Sequence, residues 1–334
     1  MSNQKGNQSL WPSGQQNPRV VVLGAGAVGC FYGARLAEAG AQVTLIGRQS
    51  HVDAINTQGL SFESGGQTRQ IPMQASTDPQ VLRDADLILL CVKTLDTEDA
   101  ARQIADLAPS GAVVVSLQNG VDNVERVRSA TGIDALAAVV YVAASMPGPG
   151  HLRHAGRGDL ILGEYFRAGS VGPGAAGAAS DATSARVKRV ADLFERAAVA
   201  CPVSDDVRAA LWVKLVVNCV FNPVSALAGV RYGVMVGDES ARLLMREILD
   251  ECHVVASADG VRLPDADSLY RDVIGVGQAM AAATSSTQQD LARGKHTEID
   301  SLNGYVVRRG AALGISTPVN RSLVTLVHLR ETTL

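Results

Sequence analysis

The run Arg19-Val20-Val21-Val22-Leu23-Gly24-Ala25-Gly26-Ala27-Val28-Gly29 decides the fold of this chain. Its first five residues, apolar and mostly β-branched, suit a parallel strand covered on both faces. Gly24, Gly26 and Gly29 then complete G-x-G-x-x-G. An amphipathic helix follows through Ala39, Gly40 stands where it would cap the helix C-terminus, and Ala41 to Ile46 reads as a second strand. Glycine-rich turns are common, so the glycines alone say little. The order strand, glycines, helix, strand within about 30 residues is far more specific. Glycines let the backbone approach a pyrophosphate, which the helix N-terminus holds with its N–H groups and dipole. Gly24, Ala25, Gly26, Ala27, Val28 and Gly29 are therefore the candidate dinucleotide contacts, with a plain tight turn as the bland alternative.

The end of the second strand selects the nucleotide. NAD enzymes usually place Asp or Glu there for the ribose hydroxyls. This chain reads Ile46-Gly47-Arg48-Gln49-Ser50, with no acid. Arg48 would grip a 2′-phosphate and stack on adenine, so NADP(H) is the expected cofactor. Two more apolar strands, residues 86–92 and 111–117, finish in Lys93-Thr94 and Gln118-Asn119-Gly120. Ligands lie beyond the carboxyl ends of such strands, which makes Lys93 and Asn119 candidates for cofactor and substrate contact.

Ala135 to Ala144 reads as another buried strand. Gly150 to His154 and Asp159 to Glu164 read as a hairpin closing the sheet edge. His151 and His154 lack a nearby set of ligands at metal spacing, so no metal is expected. Residues 168–184, rich in Gly, Ala and Ser, suggest a surface loop. Another helix spans Ala185 to Ala200.

The totals fit two soluble domains: 334 residues, 46% hydrophobic, 19% charged. A net charge of −3 gives no field for nucleic acid or an anionic membrane. No apolar run reaches the roughly 18 residues of a membrane span. Five scattered cysteines form no C-x-x-C pair, which points to a reducing cytoplasm. Residues 1–18 are polar and read as a disordered tail. The expected domains are 19–204, of Rossmann type, and 205–334, all helical.

In the second half helical periodicity dominates, over Val207 to Asn222, Glu239 to Asp259, Ser268 to Ala283, Ser286 to Ala292 and Asp300 to Leu313, with Pro264 and Pro318 as punctuation. The first of these helices is apolar but for Lys214, Asn218 and Asn222. Steps of four keep those three on one face, spread over about 12 Å of axis. Burying an ammonium and two amides unpartnered costs several kcal/mol, so a polar ligand is expected there. A packed helix with a snorkelling lysine is the alternative. Glu298 and Asp300 suit a helix N-terminus, and Ser285 or Ser286 suits a cap, so each also has a purely structural explanation.

Taken in order, Gly24 to Gly29, Arg48, Cys91-Val92-Lys93, Gln118-Asn119-Gly120, Lys214-x-x-x-Asn218-x-x-x-Asn222-Pro223, Ser285-Ser286 and His296-Thr297-Glu298-Ile299-Asp300 resemble the ketopantoate reductase family over nearly the whole chain after Pro18. The resemblance implies a Rossmann domain, then an all-helical domain, with the active site in the cleft between. It implies reduction of 2-dehydropantoate to pantoate by NADPH, in pantothenate and coenzyme A synthesis. Position by position, it makes Lys214 the general acid and Glu298 a second active-site group. Lys93 and Asn119 would lie by nicotinamide and substrate, and Asn218, Asn222 and Ser286 would hold the keto acid. Ala283 and Tyr232 depart from the pattern, since asparagine is expected at both. The competing readings are a reductase of another branched 2-keto acid, a β-hydroxy acid dehydrogenase, and an NADPH-sensing scaffold. A homodimer is possible, because the apolar helices around Ile248 and Val306 suit either a dimer face or a core.

Overall fold

The computed structural model describes Trp11, residues 17–166 and residues 184–333. The tail expected over 1–18 lies, apart from Trp11, Asn17 and Pro18, outside them, as do residues 168–183 of the expected loop. Two compact units divide after Val207.

In the first unit the strand, glycine loop, helix and second strand of residues 19–46 follow in the expected order. Strand β1 (Arg19–Leu23) leads into helix α1 (Ala27–Glu38), β2 (Gln42–Ile46) and α2 (Gln49–Gln58). After these come β3 (Leu60–Ser64), β4 (Gln67–Ile71), β5 (Gln74–Ser76), β6 (Leu87–Leu90) and α3 (Thr97–Leu107). Last are β7 (Val113–Ser116), α4 (Asn123–Thr131), β8 (Leu136–Gly148), β9 (His151–Glu164) and α5 (Ala185–Arg196). The sheet order is β4-β3-β9-β8-β7-β6-β1-β2-β5. From β8 to β5 all neighbours run parallel. The chain leaves β1 toward β2 on one side and returns to β6 on the other, which puts the topological switch point between β1 and β6. Val22, Leu45, Leu87 and Leu89 are fully buried in this sheet, as strands covered on both faces require.

One expectation fails here. Residues 150–164 make no hairpin of their own: β9 is continuous and pairs antiparallel with β8 and parallel with β3. Gly156 and Gly158 look like a turn, but Gly156 pairs with Ala143 and Gly158 is the extra residue of a β-bulge opposite Tyr141 and Val142. The actual reversal precedes β9, at Gly150 with φ +63°. The β3–β4 hairpin is not among the expected elements, although it turns on Gly65-Gly66, both at positive φ as a tight hairpin demands.

The second unit is helical: α6 (Val207–Ala228), α7 (Tyr232–Gly237), α8 (Glu239–Ala258), α9 (Ala266–Ala279), α10 (Ser286–Ala292), α11 (Asn303–Ala312) and α12 (Pro318–Glu331). Helix α6 does not stop at Asn222; it runs on through Pro223. A proline inside a helix offers no N–H to the carbonyl four residues back, here that of Cys219. Asn303 Nδ2 donates to that carbonyl at 3.1 Å instead. The expected helix from Asp300 is split by Leu302 into a 3₁₀ turn, Ile299–Ser301, and α11. Pro318 opens a helix rather than marking a gap, since its missing N–H is harmless in a first turn. Ile248 and Val306 are both fully buried, so these two residues belong to the core of the unit and not to a surface. By length and composition α6 would pass for a membrane span, contrary to expectation, but 56% of its most apolar window is buried inside the protein.

Candidate active site

The glycine loop shows how little room the fold leaves. Gly24 has φ +116°, and a Cβ there would lie 2.6 Å from the Cys91 carbonyl carbon, at the end of β6. The loop is thus pressed into the switch point. The N–H groups of Gly24 and Ala25 both donate to the Ile46 carbonyl, at 3.1 and 2.9 Å, which ties the loop to β2. A Cβ on Gly29 would stand 2.2 Å from the Gly24 carbonyl oxygen. Gly26 differs: it caps α1 in an extended conformation, is exposed, and a Cβ on it would meet nothing within 4 Å. The first turn of α1 contains no acid, and its leading N–H groups have no acceptor within the helix. Of the six expected contact residues, Gly24, Ala25 and Gly29 build the loop, while Gly26, Ala27 and Val28 present its open face. A pyrophosphate fits that face in both charge and space.

Beneath it, the Cys30 thiol donates to the Ala25 carbonyl at 3.5 Å, and burial pushes its pKa up to about 12. This is a packing thiol, not a nucleophile. Arg48 is exposed just past β2, at the N-cap of α2. Lys93 is exposed just past β6, and Asn119 is half-buried past β7. The residue that joins these last two loops is not among the expected site residues. Buried Gln118 donates to the Val92 carbonyl at 3.1 Å and to Thr97 Oγ1 at 2.8 Å, and accepts from Ser116 at 3.0 Å. The Asn119 carbonyl accepts from Asn123 at 2.7 Å. The polar character of Gln118 directly after an apolar strand is the signal for it in the sequence.

On α6 of the second unit, Lys214 and Asn218 are half-buried and Asn222 is 4% exposed. The structure brings Ser286 to this helix: Asn222 Nδ2 donates to Ser286 Oγ at 3.4 Å. The two serines divide their tasks. Ser285 caps α10, accepting from the Gln288 N–H at 3.0 Å, and donates to the Asn222 carbonyl at 3.1 Å. Ser286 stays exposed, so capping does not account for it. Tyr232 joins the cluster too. Its hydroxyl donates to Asn222 Oδ1 at 3.4 Å, and its ring stacks on Phe221 at 4.4 Å between centroids. Ser225, bonded to Gln288 at 2.9 Å, continues the polar face three residues beyond Asn222. The expectation that α6 ends before Pro223 hid it. Glu298 is half-buried and makes no side-chain capping bond to the 3₁₀ turn it precedes. Asp300 is exposed, beside His328 at 3.2 Å.

This arrangement has clear relatives. Residues 20–166 match the sequence profile of the ketopantoate reductase PanE/ApbA family, and residues 206–331 match that of its C-terminal domain. The chain belongs to this family. A 2-dehydropantoate 2-reductase of Halobacterium salinarum is 35% identical over 316 residues, covering 94% of this chain and 99% of its own. The crystal structure of a PanE/ApbA family ketopantoate reductase from Ralstonia eutropha JMP134 superposes with a TM-score of 0.84 at 44% identity, over 94% and 99% of the two chains. A D-mandelate dehydrogenase, solved in complex with NADH, has a TM-score of 0.80 at 25% identity, over 95% and 99%. The protein is therefore a dinucleotide-dependent oxidoreductase of the 2-dehydropantoate 2-reductase type, with a Rossmann-type unit followed by a helical one.

Proposed function

We propose that this ketopantoate reductase family member reduces 2-dehydropantoate to pantoate with NADPH, a step toward pantothenate and coenzyme A. The observation that carries the reading is the face of α6, which bears Lys214, Asn218 and Asn222 at steps of four, with Ser286 bonded to Asn222. The names of the relatives supply the substrate. Five free cysteines among the described residues suit a reducing cytoplasm.

Gly26, Ala27 and Val28 would hold the pyrophosphate, and Arg48 the 2′-phosphate, since no carboxylate stands at the end of β2 to repel it. Lys93 and Asn119 would contact nicotinamide and keto acid. When bound, NADPH supplies the hydride. Asn218, Asn222 and Ser286 would bind the keto acid through its oxygens, and the bond from Asn222 Nδ2 to Ser286 fixes both side chains. The ammonium of Lys214 would stabilise the negative charge that develops on the keto oxygen and give that oxygen its proton. Glu298 would keep Lys214 protonated and in position. Domain assignments of 19–204 for cofactor and 205–334 for substrate follow from these roles.

A second reading keeps the chemistry and changes the keto acid. Tyr232 sets a phenol where an amide is expected, directly against Asn222. A homologous fold also serves a D-mandelate dehydrogenase with NADH. Purified protein, NADPH and 2-dehydropantoate should show loss of nicotinamide absorbance. NADH should work far less well, and Arg48→Ala should narrow the gap between the two. Lys214→Ala should lower kcat about a hundred- to ten-thousandfold with NADPH affinity unchanged. Full activity in Lys214→Ala would remove it as the acid, and higher kcat/KM on another branched 2-keto acid would favour the second reading.

A further inference from the structure

A chain of buried hydrogen bonds crosses from the loop after β6 to the loop after β7, the two that carry Lys93 and Asn119. Its side chains, on Thr97, Ser116, Gln118 and Asn123, are each at most 7% exposed. Ser116 Oγ donates to Gln118 Oε1 at 3.0 Å. Gln118 Nε2 donates to the Val92 carbonyl at 3.1 Å and to Thr97 Oγ1 at 2.8 Å. Thr97 Oγ1 passes its own proton to Asn123 Oδ1 at 3.2 Å, and Asn123 Nδ2 donates to the Asn119 carbonyl at 2.7 Å. The Thr94 hydroxyl reaches that same carbonyl at 3.4 Å. Each hydroxyl has one proton and spends it once, so the bonds all run one way. Neither amide can turn over, since a reversed Gln118 would set its oxygen against the Val92 carbonyl. None of these side-chain N and O atoms is buried without a partner.

Stability alone does not call for such a chain. Position 118 directly follows an apolar strand, and a leucine there would bury itself with no polar group to desolvate. Neutral hydrogen bonds return little net free energy against water. What a fully satisfied buried network does give is a single geometry. The helices that follow the two loops are tied separately, by the bidentate pair of Glu98 on α3 and Arg126 on α4, at 2.7 Å on both arms. Their docking therefore does not depend on Gln118. The network holds instead the backbone beside Lys93, at Val92 and Thr94, and the backbone of Asn119.

We propose that Gln118 is a positioning residue for the reduction: through Val92, Thr97 and Asn123 it keeps Lys93 and Asn119 in one register toward the nicotinamide and the keto acid. The inference rests on the reading that those two residues meet these two groups.

Three variants test it in the full chain. Gln118→Met keeps the length and loses the hydrogen bonds, Thr97→Val keeps the shape and loses the hydroxyl, and Thr97→Ser keeps the hydroxyl and loses a methyl. NADPH bound to the wild type should fluoresce more strongly than in water, because its nicotinamide is held still. Gln118→Met and Thr97→Val should lose most of that gain, with the NADPH dissociation constant within about threefold of wild type, since Arg48 and the glycine loop are untouched. Thr97→Ser should keep the gain. For 2-dehydropantoate, kcat/KM should fall about tenfold or more in Gln118→Met and Thr97→Val, and stay within about twofold in Thr97→Ser. In a Lys93→Ala/Asn119→Ala background, Gln118→Met should cost less than about threefold, because what it positions is gone. Wild-type emission and kcat/KM in both Gln118→Met and Thr97→Val overturn the inference. So does a Thr97→Ser as impaired as Thr97→Val, which assigns the loss to packing, and so does an undiminished cost of Gln118→Met in the background without Lys93 and Asn119. A wild type that brightens NADPH but turns over no 2-dehydropantoate counts against the substrate reading instead, and the emission of the three variants then decides this inference by itself.

Discussion

The glycine loop after β1 and the polar face of α6 are built in opposite ways. The loop works by having no side chains. Its constraints come from strands β1 and β2 beside it and from Cys91 at the end of β6, and the ligand contact proposed for it is through backbone N–H groups. The face of α6 works by side chains held from far along the chain. Ser286 reaches Asn222 across 64 residues, and Asn303 reaches the Cys219 carbonyl across 84. A change in the loop should therefore act through space and backbone. A change on α6 should act through hydrogen bonds whose partners belong to other helices.

The loop offers the largest effect and the cleanest division. A methyl group on Gly29 would meet the Gly24 carbonyl oxygen at 2.2 Å and Val22 Cγ1 at 2.8 Å, and neither can move without shifting a strand. Gly29→Ala should cost about 3 kcal/mol or more of unfolding free energy, read by denaturant titration. Gly26→Ala meets nothing within 4 Å and sits at an extended φ of −85°. It should cost less than about 1 kcal/mol in stability, the difference between Gly and Ala at an N-cap. Its dinucleotide affinity should still fall about tenfold or more, because the methyl would take the space that the proposed function gives to the pyrophosphate. Equal loss of stability in both variants would erase the distinction between loop-building and ligand-facing glycines.

On α6 the corresponding test is Asn303→Ala. Asn303 is fully buried and donates both to the Cys219 carbonyl and to Asn320 Oδ1, at 3.1 and 2.9 Å. Removing it leaves a buried carbonyl unpaired, which should cost about 2 kcal/mol. That carbonyl is open only because Pro223 lacks an N–H. Pro223→Ala lets the helix supply its own donor, so Asn303→Ala should cost about 1 kcal/mol less in that background. Additive losses in the double-mutant cycle would show that Asn303 acts through Asn320 alone.

These contrasts explain which parts were legible in the sequence. The β1–α1–β2 unit and the place of Arg48, Lys93 and Asn119 after their strands follow from period and order within short windows. Lys214, Asn218 and Asn222 could be grouped because helical spacing is local. What held them could not be read. Pro223 is an ordinary stop signal until Asn303 arrives from α11 to satisfy Cys219, and Ser225 beyond it was lost with the helix. Gly156-Arg157-Gly158 looks like a turn because glycines at positive φ serve turns and bulges equally, and only the pairing partner β8 decides between them. Tyr232 read as a missing asparagine. In three dimensions it reaches Asn222 from a separate helix, so the loss at one position is met by a longer side chain at the same position.

Tyr232→Phe is the smallest of these changes and the most informative about the substrate. The hydroxyl donates to Asn222 Oδ1 at 3.4 Å, near the limit for a hydrogen bond, so stability should fall by less than about 1 kcal/mol. The ring remains, and with it the stack on Phe221. Burial pushes the phenol up to about 12, because the charged phenolate loses water there. The hydroxyl therefore remains a donor across the whole neutral range, and the effect of the substitution should not change between pH 6 and pH 9, whose upper end lies about three pH units below that value. What should change is the orientation of the Asn222 amide. Without the phenol, nothing holds Oδ1 on the Tyr232 side, and Nδ2 loses its fixed aim at Ser286. If Asn222 binds the keto acid, KM should rise severalfold while kcat stays close to that of the wild type, since Lys214 two turns earlier on α6 is untouched. A fall in kcat at constant KM would instead place Tyr232 with the proton transfer, and no change in either would mean that the amide is set by Ser286 alone.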